Sequence, residues 1–379
     1  LRWRGTRRGS AARGEIERNC EMSVEITEGE VLASVCDGVG TLTLNRPQAL
    51  NALTLDMIRE FTRVLRAWAD DDAVRLVLVR GAGERGLCAG GDVAALYRDA
   101  VAEGGPGDFG ATFWREEYEL NHYISVYPKP YVALQTGIVL GGGIGISAHG
   151  SHRIVTDDSR LGMPEVGIGY SPDAGGSYVL ARAEDRLGFH LGYTAAHVGA
   201  AEAIDTGFAD YYVPQDQIES LVARLHETAD PAVIAEFAQD AGPGFGEDRA
   251  EMVEAYAAPT AAATLERLDA LAAEHGEEHW AAKAAKRIRR NSPLGIRVTE
   301  EGLERAAHHS LADVLTQEFW MSLNMQRHPE FAEGIRAQII DKDRTPHWKY
   351  ATIVDVPSDV GALFAPIDGI APPDFTQNV

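Results

Sequence analysis

The stretch Val139 to Gly150 reads VLGGGIGISAHG, five glycines in twelve residues, and the apolar YVALQ leads into it. Backbone this bare fits only a fold in which a strand-to-helix turn is closely approached by other backbone or by a ligand. Three uses of such a turn compete. Gly143-Ile-Gly145-Ile-Ser-Ala148 matches the dinucleotide pattern G-x-G-x-x-A, which requires a crossover helix and then an acid about 20 residues on. Here a strand begins near Arg153 and Asp157 lies only 14 residues after Gly143, too little chain for that helix. Gly145-Ile-Ser147-Ala-His149 approaches an esterase elbow, G-x-S-x-G, but lacks its last glycine. Ser147 and His149 therefore read as helix residues, and His122 and His152 as structural or surface groups. The third use is an anion-stabilising turn, in which free N–H groups meet a substrate oxygen. Such a hole needs a second donor, and CAGGDVAAL, Cys88 to Leu96, is a second glycine turn ahead of an apolar helical pattern. On the residues alone, tight strand-to-helix packing explains both clusters equally well.

The flanking segments alternate strands and helices. VLASVCDGVGTLTLN carries a hairpin signal at Asp37-Gly38. Ile58, Phe61, Leu65 and Trp68 share one helical face behind a cap at Thr54. VRLVLVRG, Val74 to Gly81, is a buried-strand run. WREEYELNHY reads as a helix, RIVTD as a strand, and Ser171-Pro172 as a helix start. Gly and Pro interrupt the chain at DAGPGFGED, and Ala-rich helical segments follow. The expectation is an α/β core over 22–241 and a mainly helical region over 242–379.

With 57 acidic and 35 basic residues the formal charge is -22, which argues against nucleic acid and anionic membrane surfaces as partners. The segment before Met22 departs from this balance, holding six Arg and three Glu. Its acids weaken a transit-peptide reading, and residues 1–21 are expected to be a disordered leader ahead of a natural start at Met22. Cys20, Cys36 and Cys88 show neither pairing pattern nor metal spacing, which fits a reducing compartment, and no run is apolar enough to span a membrane. A cytosolic (cytoplasmic) protein is expected.

LTLNRPQALNAL, LCAGGD, GIVLGGGIG and MPEVGIGYSPDAGG, in that order over about Val31 to Pro214, resemble the successive signatures of the enoyl-CoA hydratase/isomerase, or crotonase, superfamily. FWREEYELN, the acid Asp173, and the tail HPEFAEGIRAQIIDKDRTPHWKYA resemble its 3-hydroxyisobutyryl-CoA hydrolase branch. This resemblance implies a crotonase (ClpP-like) spiral of ββα units with a C-terminal α-helical region. It implies an acyl-CoA substrate whose thioester oxygen sits between the N–H groups of Gly91 and Gly142. It also implies catalytic roles for Glu165 and Asp173 and a substrate-binding role for Glu117. Read without the resemblance, each acid is equally a surface or first-turn carboxylate.

One departure is informative. Hydratases carry a second catalytic Glu two residues past GGG, where this chain has Gly145; Gln135 and Tyr350 are smaller departures away from the chemistry. Losing one of two acid/base groups should cripple hydration and leave hydrolysis its own acids. The expected reaction is hydrolysis of a short β-hydroxyacyl-CoA thioester, 3-hydroxyisobutyryl-CoA above others. The alternatives are an enoyl-CoA hydratase or isomerase and, in another class, a CoA-binding protein without catalysis. No cofactor or metal is required, coenzyme A entering as part of the substrate, and the histidines offer no H-E-x-x-H pattern. Crotonase relatives commonly trimerise, which leaves a homo-oligomer open here, since the C-terminal extension could cover that surface.

Overall fold

The computed structural model describes residues 29–376, so the leader expected over 1–21 and the start at Met22 lie outside the described residues. Eight strands are defined: β1 (Val31–Cys36), β2 (Val39–Leu44), β3 (Leu76–Gly81), β4 (Tyr131–Leu134), β5 (Ile138–Leu140), β6 (His152–Val155), β7 (Arg160–Gly162) and β8 (Tyr211–Tyr212). The main sheet runs β1-β2-β3-β4-β6-β8. Its one antiparallel pair is the β1–β2 hairpin, whose register closes at Cys36 opposite Val39. Asp37 and Gly38 make that turn with φ of 52° and 89°, the left-handed pair such a hairpin requires.

The other two strands, β5 and β7, form a small parallel sheet, and bridges from Gly86 to Gly137 and from Cys88 to Val139 attach residues 86–88 to it. The chain therefore repeats one path. A strand in the main sheet is followed by a short strand or bridge in the second layer and then by a helix. β3 leads through residues 86–88 to the helix Val93–Ala100, and β4 leads through β5 to the helix Gly142–Ser147. β6 leads through β7 to the 3-10 turn Glu165–Ile168 and the helix Gly176–Arg182. This is the expected spiral of ββα units.

Two apolar layers flank the main sheet. Val77 and Val79 point into the larger, while Leu76 and Leu78 point into a smaller one with Leu221, Val222 and Leu225. Burial on both faces is why β3 reads as a continuous apolar run. The helix Leu55–Ala69 buries the predicted face of Ile58, Phe61, Leu65 and Trp68, and Thr54 caps it by accepting the Met57 N–H. Beyond residue 242 the chain is mainly helical, and Leu268, Leu303 and Phe319 there share one core with Phe61 and Tyr118.

One expectation is corrected. The helix after the MPE segment starts at Gly176, not at Ser171-Pro172, because Ala174 and Gly175 adopt left-handed φ of 52° and 77° and break the backbone after Asp173. Cys88 is free and buried. Among the described residues no helix is long and apolar enough to cross a membrane.

Candidate active site

Each ββα turn delivers one wall of a cavity of about 590 Å³. Gly91, Gly142, Glu117, Glu165 and Asp173 all line it, so every residue singled out in the sequence converges on one space. Gly90 (φ 105°) and Gly141 (φ 50°) hold backbone conformations that disfavour a side chain. They turn the chain so that the next residues, Gly91 and Gly142, face the cavity. A methyl group on Gly142 would lie 3.3 Å from the Gly91 nitrogen and 2.5 Å from Glu117 Oε1, which places both amides on one wall. Gly142 opens a helix, so its N–H has no intrahelical partner. Among the described residues no acceptor takes this N–H or that of Gly91.

The helix Phe109–Ser125 separates its two adjacent glutamates. Glu116 points outward and pairs with Arg59 at 2.7 and 2.8 Å, whereas Glu117 is buried toward the cavity. Glu165 begins the turn after Pro164, and its Oε2 is buried without a hydrogen-bond partner. Gly141 is bare where Glu165 Oε1 needs room, since a methyl group there would sit 2.7 Å from that oxygen. Asp173 Oδ2 accepts from the Tyr118 hydroxyl at 2.8 Å and the Tyr170 hydroxyl at 3.2 Å. Both tyrosines also reach Ser322, which donates to the Glu318 carbonyl at 2.6 Å.

Burial, more than any neighbouring charge, sets the protonation of this site. It pushes Glu165 and Glu117 well above the usual carboxylate range, and the Asp173 charge adds to both. Asp173 rises only to about 6, because the Tyr118 and Tyr170 donors offset part of its desolvation. Glu318 is raised to about 8 by burial, against donors from Ser177 and the Gly175 N–H. Four carboxyls this close cannot all be charged near neutral pH, so some hold protons. Such a set includes both a proton acceptor and proton-bearing acids.

The sequence reading missed Tyr118, Tyr170, Ser322 and Glu318. Tyr118 stands next to Glu117 and Tyr170 three residues before Asp173, so proximity was the available signal; Ser322 and Glu318 offered none. It also missed a cluster away from the cavity, Glu251, His275 and His279, whose ligand atoms lie within 4.8 Å of one another. Glu251 is far upstream of the histidines, so no spacing pattern exposed this set. Gly145 is closed to any side chain: a methyl group there would lie 2.8 Å from Ala174 Cβ and 2.9 Å from Asn121 Nδ2.

Comparisons with known proteins agree on this architecture. A profile of the enoyl-CoA hydratase/isomerase family matches residues 39–364. The chain is 37% identical over 353 residues to a Danio rerio protein named 3-hydroxyisobutyryl-CoA hydrolase, mitochondrial, covering 89% of this chain and 90% of that one. It is 34% identical over 339 residues to the Homo sapiens protein of the same name, covering 86% of each. Among solved structures, one titled as a carnitinyl-CoA dehydratase from Mycobacterium thermoresistibile superposes with a TM-score of 0.85 at 43% identity, over 92% of this chain and 99% of that one. One titled as an enoyl-CoA hydratase from Rhodobacter sphaeroides 2.4.1 gives a TM-score of 0.81 at 40% identity, over 89% and 98%.

Proposed function

This chain belongs to the enoyl-CoA hydratase/isomerase family, and from that premise we propose that it hydrolyses the thioester of 3-hydroxyisobutyryl-CoA to 3-hydroxyisobutyrate and free CoA. The names of the relatives divide between hydrolase and hydratase or dehydratase. The observation that carries the hydrolase reading is the filled space at Gly145, where Asn121 and Ala174 leave no room for the second hydratase carboxylate.

In this reading the thioester oxygen accepts the N–H groups of Gly91 and Gly142, which face one cavity with no competing acceptor. Backbone donors held in place before the reaction stabilise the negative charge that develops during attack, each by about 2.7 to 4 kcal/mol. Glu165, with one oxygen unpartnered and its proton affinity raised by burial, is a strong proton acceptor once ionised. It either takes the proton of the attacking water or attacks the carbonyl itself, giving a mixed anhydride that water then cleaves. Both routes break the carbon–sulfur bond, leave the acid, and release CoA after its sulfur is protonated. Unlabelled product from a single turnover in oxygen-18 water would establish the anhydride route, since only an anhydride hydrolysed at the Glu165 carbonyl gives it.

Asp173, held by two tyrosine donors on Oδ2, keeps Oδ1 for the substrate's β-hydroxyl. Glu117, buried and raised, offers a proton to the same end of the acyl group. The deciding experiment measures free thiol from 3-hydroxyisobutyryl-CoA beside loss of the enoyl absorbance of crotonyl-CoA. Thiol release without hydration is expected; fast hydration with no thiol release would sink the hydrolase reading. The relatives' names say mitochondrial, whereas the cytosolic placement rests on charge and cysteine pattern, and cell fractionation decides between them.

A further inference from the structure

We propose that Glu251, His275 and His279 form a binding site for a divalent transition metal, zinc above others, which pins three helices of the C-terminal region together. Glu251 lies on the helix Arg249–Tyr256, His275 ends the helix Ala261–His275, and His279 stands immediately before the helix Trp280–Arg290. Gly276, with φ of 92°, breaks the chain after His275, and the His279 N–H donates back to the Gly276 carbonyl at 3.2 Å. That tight turn sets the two imidazoles side by side, their ring centroids 4.6 Å apart. None of the three residues lines the substrate cavity. A metal bound here acts on stability and not on turnover.

Both rings aim Nε2 at one carboxylate. His279 Nε2 lies 3.2 Å from Glu251 Oε2, and His275 Nε2 lies 3.6 Å from Glu251 Oε1. The second distance is too long for a hydrogen bond, so hydrogen bonding alone does not account for the convergence. Zinc accounts for it, because it holds imidazole nitrogen and carboxylate oxygen at about 2.0–2.2 Å in a tetrahedron, whose ligand atoms are then about 3.4 Å apart. The two nitrogen–oxygen distances already bracket that edge. All three ligand atoms lie within 4.8 Å of one another, and the His275 side chain, 41% exposed, has room to swing closer. Its exposure leaves a fourth position to water. Glu251 is also held from behind, since Oε2 accepts the Trp280 indole N–H at 2.6 Å, the kind of outer hydrogen bond that orients a metal-binding carboxylate. Two imidazoles and one carboxylate suit zinc and disfavour calcium and magnesium, which take oxygen ligands.

The test titrates zinc alone into the tag-free full chain after chelation. Calorimetry should show one saturable site per chain, and zinc at about a hundredfold excess over its Kd should raise Tm by about 3 °C. Cobalt in its place should give the visible absorption of a tetrahedral site. H275A/H279A should lose all three signals while keeping the circular dichroism and the thiol release of the parent. If that variant does not fold, H275A, at the exposed ring, carries the comparison through its own loss of zinc affinity. W280F, which keeps all three ligands, should weaken zinc binding about 10- to 100-fold. A parent that binds no zinc saturably leaves only ion pairs between Glu251 and the two histidines, and overturns the proposal. Zinc affinity equal in parent and H275A/H279A overturns it too, because the ion then sits elsewhere, as does zinc binding that leaves Tm unchanged.

Discussion

Asn121 occupies the space beside Gly145, its Nδ2 only 2.9 Å from where a methyl group on that glycine would sit. Glycine at 145 is thus a packing requirement as well as a missing acid. Installing the hydratase carboxylate by G145E is expected to give no crotonyl-CoA hydration. It also forces overpacking that costs about 1–3 kcal/mol, read as a lowered Tm. G145A alone should show part of that loss; equal Tm values for G145A and the parent would contradict the packing account.

Replacing the buried carboxyl at the turn after Pro164 removes the proposed proton acceptor without removing volume. E165Q is expected to lower kcat for thiol release by about 10² to 10⁴. CoA affinity by calorimetry should stay within a few-fold of the parent, since the substitution keeps the shape and volume of the side chain.

Asp173 should contribute its own step to the acid limb of kcat/KM, beside the ionisation of Glu165. Its folded pKa of about 6 means that the ionised form, and the activity that uses it, fades as pH falls through 6. Tyr118 and Tyr170 lower that value by donating to Oδ2. Y118F and Y170F should therefore move that step of the limb to higher pH, while D173N should remove the step. A limb that stays in place in both phenylalanine variants contradicts the hydrogen-bond account.

Stability should also report the buried acids. Glu318 has a folded value of about 8 against an ordinary 4.5, so between these pH values the native state binds more protons than the unfolded chain. Unfolding free energy then falls as pH rises, the contribution being complete below the unfolded value and lost through about 8. Chemical denaturation from pH 5 to 9 should show this slope, and E318Q should flatten it.

Metal is not expected to enter turnover. The Glu251, His275 and His279 cluster contributes nothing to the cavity lining. Exhaustive chelation should leave thiol release unchanged, and a loss restored by zinc would overturn the mechanism as drawn.

The glycine turns and the carboxylates near them were legible because their spacing is local: Gly91 and Gly142 follow strands, and Glu165 and Asp173 share one segment. The alternation of strands and helices was legible from apolar runs, whereas the repeated strand, strand and helix path came only with the family resemblance. What escaped depends on contacts distant in sequence. Glu318 lies on a helix whose pattern looks ordinary, and only the folded chain brings it under Gly175 and Ser177. Burial of an acid has no sequence signature, so only the family resemblance separated Glu117 from Glu116 before the helix faced one inward. The break before Gly176 escaped because Ala174 adopts a left-handed conformation that its residue type does not announce.

The crowding of carboxyls at the cavity floor also bears on how a catalytic cycle ends. In the proposed reaction the acyl group arrives without charge and, once the thioester is cut, becomes an anion among acids already competing for protons. The same surroundings that accept the neutral substrate thus repel its product, so this end of the site favours departure over retention and weak inhibition by the released acid.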